Sequence, residues 1–218
     1  MRDAVIFDMD GLLLDTEQVA FRTFKETCAH FELSFELDLY HQCIGSNLQR
    51  TANILEKGIV GFCKQEFMPV WNAAYVENAI EKPVALKAGV LDFLNWLQGE
   101  NIPCALATSS PYKNAIRKLN NAGLTDYFSE FMYGDQVTDS KPHPEIYLKA
   151  AEKLGVKPQN CLALEDSDNG VRAAHGAGML VFQIPDIAAP SEDVLRLGHD
   201  IFPSLAHVHH HFVAKAKL

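Results

Sequence analysis

The chain has 218 residues, 48% of them hydrophobic and 22% charged, and its 28 acidic against 19 basic side chains give a formal net charge of −9. That is the balance of a globular protein with a core of ordinary size, in one domain or in one domain that carries an insertion. It excludes nucleic acid as the main partner, because binding to a phosphate backbone needs a clustered excess of Lys and Arg.

The first predicted element is Ala4-Val5-Ile6-Phe7, a short apolar run without polar alternation, which reads as a strand buried on both faces. Asp3, Asp8 and Asp10 break up any signal-like apolar stretch around it, and nowhere do about 18 apolar residues run together, so a cytoplasmic protein without a membrane segment is expected. Asp8-Met9-Asp10-Gly11 follows the strand directly. Two carboxylates at i and i+2 there stand at the carboxyl end, where parallel sheets place their ligands, although Asp and Gly also make ordinary turns.

From about 16 to 86 the rhythm changes. Val19, Phe24, Cys28, Phe31, Ile54, Leu55, Phe67, Trp71 and Tyr75 sit in helix-like segments with no convincing strand among them. This predicts a helical insertion after the first strand that rejoins the sheet near Pro83 to Gly89. Further strands are expected at Cys104–Ala107, Cys161–Leu164 and Leu180–Ile184, with amphipathic helices between them. Tyr112, Ala115, Ile116 and Leu119 form one apolar stripe; Tyr147, Ala150, Ala151 and Leu154 form another. Pro111 and Pro144 mark where these helices begin. Alternating buried strands and helices predict a mostly parallel sheet covered on both faces. The tail, with His207, His209, His210 and His211, reads as a frayed polar terminus. The five cysteines are odd in number and include no CxxC pair, which points to reduced, mostly buried thiols.

Three strand ends besides that of Asp8 carry polar groups. Thr108-Ser109-Ser110 follows the second strand and precedes a helix, offering hydroxyls and backbone N–H groups to an anion. Lys141-Pro142 precedes another helix, and Glu165-Asp166 is continued by Ser167-Asp168-Asn169-Gly170. Singly these are a helix cap, a surface lysine and an acidic turn. Together they place acids, hydroxyls and a lysine in one crevice, a composition suited to phosphoryl transfer. Crowded carboxylates there call for a hard cation such as Mg²⁺.

These segments resemble the haloacid dehalogenase (HAD) superfamily in its phosphatase branch with a helical cap: DMDG at Asp8–Gly11, TSS at Thr108–Ser110, KP at Lys141 and EDSDNG at Glu165–Gly170, in order and across nearly the whole chain. The resemblance implies that Asp8 is a nucleophile forming an aspartyl-phosphate, and that Asp10 protonates the leaving alkoxide and then activates water. It implies that Thr108 and the N–H of Ser109 hold the phosphoryl oxygens while Lys141 neutralises charge. Mg²⁺ would sit on Asp8, the carbonyl of Asp10 and Asp166, with Glu165 as an outer or alternative ligand. Asp rather than a hydrophobic residue at position 10 favours a phosphatase or phosphomutase over a dehalogenase. Within the superfamily the chain is similar to β-phosphoglucomutase and to sugar-phosphate and pseudouridine-phosphate phosphatases. It departs from the mutase at Ala20, where that enzyme has a sugar-contacting histidine, and at Leu48, where it has a phosphate-gripping arginine.

The expectation is therefore an α/β protein: a Rossmann-like core of residues 1–15 and 87–218 with a helical cap at 16–86. It would act as a monomer, with Mg²⁺, on a small phosphorylated metabolite, hydrolysing the monoester. A β-phosphoglucomutase-like phosphomutase is the alternative; a metabolite-binding module without catalysis is disfavoured by the presence of Asp8, Asp10, Lys141 and Asp166. Substrate choice is expected among cap residues such as Ser46, Asn47, Gln49 and Arg50.

Overall fold

The computed structural model describes residues 2–44 and 48–215; Ser46 and Asn47, and the side chains of Leu48 and Gln49, lie outside what it describes. At its centre are six strands, β1 (Ala4–Phe7), β2 (Cys104–Ala107), β3 (Glu130–Met132), β4 (Cys161–Glu165), β5 (Leu180–Gln183) and β6 (Asp200–Ile201). They lie in the order β3-β2-β1-β4-β5-β6, and every neighbouring pair is parallel. The order reverses at β1, since the chain builds β2 and β3 on one side and then crosses to β4 on the other. Such a reversal opens a crevice at the carboxyl ends of β1 and β4. β3 and β6 escape the sequence reading because strands of three and two residues, the first partly buried and the second exposed, carry too little apolar pattern.

Side-chain alternation divides the core in two. Val5, Phe7, Leu106 and Leu164 point to the face covered by α5 (Val90–Gly99), α6 (Tyr112–Ala122) and α10 (Leu205–Lys215). Ala4, Ile6, Ala105 and Ala163 point to the opposite face, under α7 (Glu145–Leu154) and α8 (Asp168–Gly176). All four residues of β1 are fully buried, and each large apolar side chain so buried contributes about 1.5–3 kcal/mol. The histidine-rich tail is a correction to the sequence reading. α10 packs on α5 through buried Leu205 and Val208, and His209 and Phe212 lie against Phe93 and Trp96. His209 and His211 act there as packed rings, which a polar reading of His conceals.

Between β1 and α5 the chain forms α1 (Thr16–His30), α2 (Leu37–His41), α3 (Leu48–Gly58), α4 (Lys64–Tyr75) and a π-helical turn at Val76–Glu81. These helices surround an apolar cluster of their own, which includes Phe24, Cys28, Tyr40, Leu55 and Phe67. The outgoing and returning chains meet at the sheet: Asp15 N donates to Ala85 O at 2.9 Å, and Lys87 N to Leu13 O at 3.0 Å. All five cysteines are free, four of them buried, and among the described residues no helix is long and apolar enough to cross a membrane.

Candidate active site

β1 ends at Phe7 and delivers Asp8 to the crevice with its backbone N–H bonded to Leu164 O at 3.0 Å, so its position follows from the sheet register. The turn beyond it needs Gly11. Its φ is +83°, and a Cβ there would stand 2.3 Å from Asp166 Oδ2. Asp8 and Asp166 are thereby drawn to one end of the crevice. Across β2, buried Thr108 donates its N–H to Met132 O at 3.0 Å and accepts from Ser110 N at 3.1 Å, while Ser109 is exposed at the mouth.

Lys141 joins three strand ends. Its Nζ lies 2.6 Å from Asp8 Oδ1, 3.0 Å from the Ala107 carbonyl and 2.5 Å from Glu165 Oε1. The side chain is only 6% exposed, so the apolar surroundings leave its charge to these partners. Glu165 is held on both oxygens. Oε1 also accepts from Tyr147 Oη at 2.7 Å, and Oε2 accepts from the N–H groups of Asp166 and Ser167 and from Ser167 Oγ. Gly170 makes this anchoring possible, because a Cβ there would fall 1.8 Å from Glu165 Cδ.

One cation between two buried carboxylates leaves a negative charge over. Burial pushes Asp8 up to about 7, with the charges of Glu165 and Asp10 adding to it against Lys141. Glu165, for which burial works the same way, is instead held below its usual range by the charge and hydrogen bond of Lys141. Burial, then the charges of Glu165, Asp8 and Glu17, push Asp166 well above its ordinary value. One carboxylate oxygen from each of Asp8, Glu165 and Asp166 lies within 4.8 Å of the other two. Hard, buried, mutually repelling oxygens of this kind fit a small divalent cation.

The pair Asp8 and Asp10 is split by environment. Asp10 Oδ1 lies 2.6 Å from Lys118 Nζ, and Oδ2 accepts from Ser110 Oγ at 2.7 Å. Burial works against its ionisation, yet the Lys118 ammonium and these hydrogen bonds hold Asp10 below the usual carboxylate range. Lys118 also donates to Tyr75 Oη at 3.0 Å. A second lysine, Lys87, pairs with Asp186 and lies 3.4 Å from Asp15. A cleft of ≈ 430 Å³ opens beside Asp166 and Asp186, with His41, Gln42 and Ile44 on its other wall.

The structure thus brings Asp8, Asp10, Thr108, Lys141, Glu165 and Asp166 into one crevice, with Ser109 at its edge. Sequence reading missed Lys118, Tyr147 and Tyr75. Tyr147 passed for a stripe residue, although it is fully buried with its hydroxyl on Glu165. For Lys118 a signal existed: the buried face of α6 is Ala115, Lys118 and Leu119, at i, i+3 and i+4, while Tyr112 is exposed and Ile116 half-buried. A lysine on an apolar helix face announces a buried partner.

The chain matches the family model of haloacid dehalogenase-like hydrolases over residues 5–184. A phosphorylated carbohydrates phosphatase of Thermotoga maritima is 34% identical over 182 residues, 81% of this chain and 82% of its own. A β-phosphoglucomutase of Bacillus subtilis is 32% identical over 184 residues, 81% of this chain and 80% of its own. The crystal structure of CbbY from Rhodobacter sphaeroides in complex with phosphate matches with a TM-score of 0.76 at 29% identity, covering 95% of this chain and 96% of that one.

Proposed function

Because this chain belongs to the haloacid dehalogenase-like hydrolases, we propose that it hydrolyses a phosphorylated carbohydrate or a similar small monoester through an aspartyl-phosphate on Asp8. The observation that carries this reading is Lys141, locked between Asp8 and Glu165 at 2.6 and 2.5 Å. With Oδ1 of Asp8 turned to Lys141, Oδ2 attacks phosphorus. Asp10, ionised at rest beside Lys118, first takes up a proton from solvent, gives it to the departing alkoxide and then takes one from the water that cleaves the acyl-phosphate. Thr108 and the Ser109 N–H receive the phosphoryl oxygens, and Lys141 offsets their charge.

Asp8, Asp166 and the carbonyl of Asp10 would hold Mg²⁺, which when bound supplies the positive charge that the crowded carboxylates and the phosphoryl group both need. Glu165 already has both oxygens occupied by protein donors, which favours it as the anchor of Lys141. Residues 16–86 act in this reading as a cap over a catalytic core of residues 1–15 and 87–218. Supporting it are the separate apolar cluster of the helices, the adjoining exit and return at Asp15 and Lys87, and the cleft walled by both parts.

Phosphomutase activity is the second reading, favoured by the likeness to the Bacillus subtilis enzyme. Against it stands Ala20, whose methyl group offers no polar contact to a sugar while its carbonyl is taken by Trp71 Nε1 at 3.3 Å. The test is a panel of β-glucose 1-phosphate, glucose 6-phosphate, fructose 1-phosphate and phosphoglycolate with Mg²⁺. Inorganic phosphate and isomerised product are followed separately, with a trace of glucose 1,6-bisphosphate in the first assay. Phosphate release that needs Mg²⁺ and is lost by orders of magnitude in Asp8→Asn is expected. Glucose 6-phosphate appearing faster than phosphate would make the protein a mutase, and full activity in Asp8→Asn would remove the covalent route.

A further inference from the structure

We propose that Lys118 is a positioning residue for Asp10: its buried ammonium, clamped between the Asp10 carboxylate and the Tyr75 hydroxyl, sets the direction in which Asp10 exchanges a proton with the ester oxygen. The inference rests on the phosphatase reading above, in which Asp10 is the acid and then the base.

Asp10 stands outside β1, on the turn closed by the Asp10–Leu14 bridge, so the sheet does not dictate its side-chain direction. Two donors do. Lys118 Nζ holds Oδ1 at 2.6 Å and Ser110 Oγ holds Oδ2 at 2.7 Å, which fixes the plane of the carboxylate. The Asp10 side chain keeps 22% exposure and Lys118 keeps 2%. Burying an ammonium is costly, and an apolar residue on the Ala115–Leu119 face would pack without that cost. The lysine's presence there is explained by what it holds.

Tyr75 carries the arrangement to the helices beyond β1. It is the last residue of α4, its ring lies under the Lys118 ammonium at 5.3 Å, and its oxygen accepts from Nζ. The π-helical turn that follows is fastened to α6 by Asn121 Nδ2 donating to Ile80 O at 2.9 Å and by the Arg117–Glu81 ion pair. The direction of Asp10 is therefore held from both sides of the crevice.

Asp10, ionised at rest, begins by taking a proton from solvent. In the first step the phosphorus–oxygen bond of the ester then breaks as Asp8 bonds to phosphorus, and the leaving oxygen takes that proton. In the second, water bonds to phosphorus, the bond to Asp8 breaks and Asp10 recovers a proton from the water. Lys118 stays protonated throughout and makes no bond to substrate. Its effect is confined to proton delivery, so it depends on how much the leaving group needs a proton. An alkoxide needs one; p-nitrophenolate leaves as a stable anion.

The experiment compares kcat/KM for the best alkyl ester of the panel with that for p-nitrophenyl phosphate, in the wild type, Asp10→Asn, Lys118→Met and Tyr75→Phe. On the alkyl ester, losses of about 100-fold or more in Asp10→Asn, about 30-fold in Lys118→Met and about 5-fold in Tyr75→Phe are expected; on p-nitrophenyl phosphate the loss in Asp10→Asn should be about tenfold smaller than on the alkyl ester, and those in the Lys118 and Tyr75 variants under about 3-fold. Should Lys118→Met not fold, Tyr75→Phe, which deletes one oxygen from a ring that keeps its place, carries the test alone. Equal losses on both esters, or none on either, in the folded Lys118 and Tyr75 variants would overturn the proposal. An Asp10→Asn variant without leaving-group selectivity would instead overturn the acid assignment beneath it, so the two failures are told apart.

Discussion

Lys141 satisfies Asp8 and Glu165 together, and both carboxylates are buried. Lys141→Met should therefore destabilise the protein by about 3–5 kcal/mol, the usual cost of removing one partner from a buried ionic cluster. The sign of the pH effect follows from Asp8, pushed up to about 7 by burial. Protonation relieves the unpaired charge, so the loss in thermal melts should shrink from about pH 8 to about pH 5. Gly170→Ala tests the same anchor from behind. Its methyl would land on the Glu165 carboxyl, and the forced shift should cost about 1–3 kcal/mol and lower kcat more than it raises KM. Unchanged melting and turnover in this variant would mean that Glu165 does not anchor Lys141.

At the scale of elements, the start of α8 does two tasks with one hydroxyl. Ser167 Oγ accepts from Gly170 N at 3.1 Å as the helix cap and donates to Glu165 Oε2 at 3.1 Å. Ser167→Ala should cost about 1 kcal/mol from the cap, and activity should fall with it because Glu165 loses a donor. α10 belongs to the apolar core. Phe212 stacks with Phe93, Trp96 and Phe182, so Phe212→Ala should lower stability by about 2 kcal/mol, short of the 3–5 of a fully buried ring, with kcat and KM intact. A kinetic effect of that variant would show that α10 is coupled to the crevice.

For the molecule as a whole, the crevice is a store of repulsion that opposes folding when no cation is bound. Folding raises Asp8 from 3.8 to about 7 and Asp166 well above 3.8, in both cases chiefly through burial. Stability from this source is full below the unfolded value and lost as pH rises through the folded one. A divalent cation competes with those protons. Added Mg²⁺ should raise Tm by several degrees at about pH 8 and hardly at all at about pH 5. A shift independent of pH would place the cation elsewhere.

How much of this was legible in the chain depended on how local the cause is. β1, β2, β4 and β5 could be read because a strand buried on both faces needs a continuous apolar run, and Asp8, Thr108, Glu165 and Asp166 could be read because a strand end lies at a fixed offset from such a run. Lys141 stood out through its place before a helix. By itself, then, the sequence determined a parallel α/β core and the order of its strand-end motifs. Only the tertiary structure decided that Lys118 meets Asp10 across 108 positions, that Tyr147 turns its hydroxyl to Glu165 and that the histidine-rich tail packs as a helix. Those pairings depend on which helix faces meet: a local pattern can mark a face as buried, as on α6, but it does not record which distant residues that face will meet.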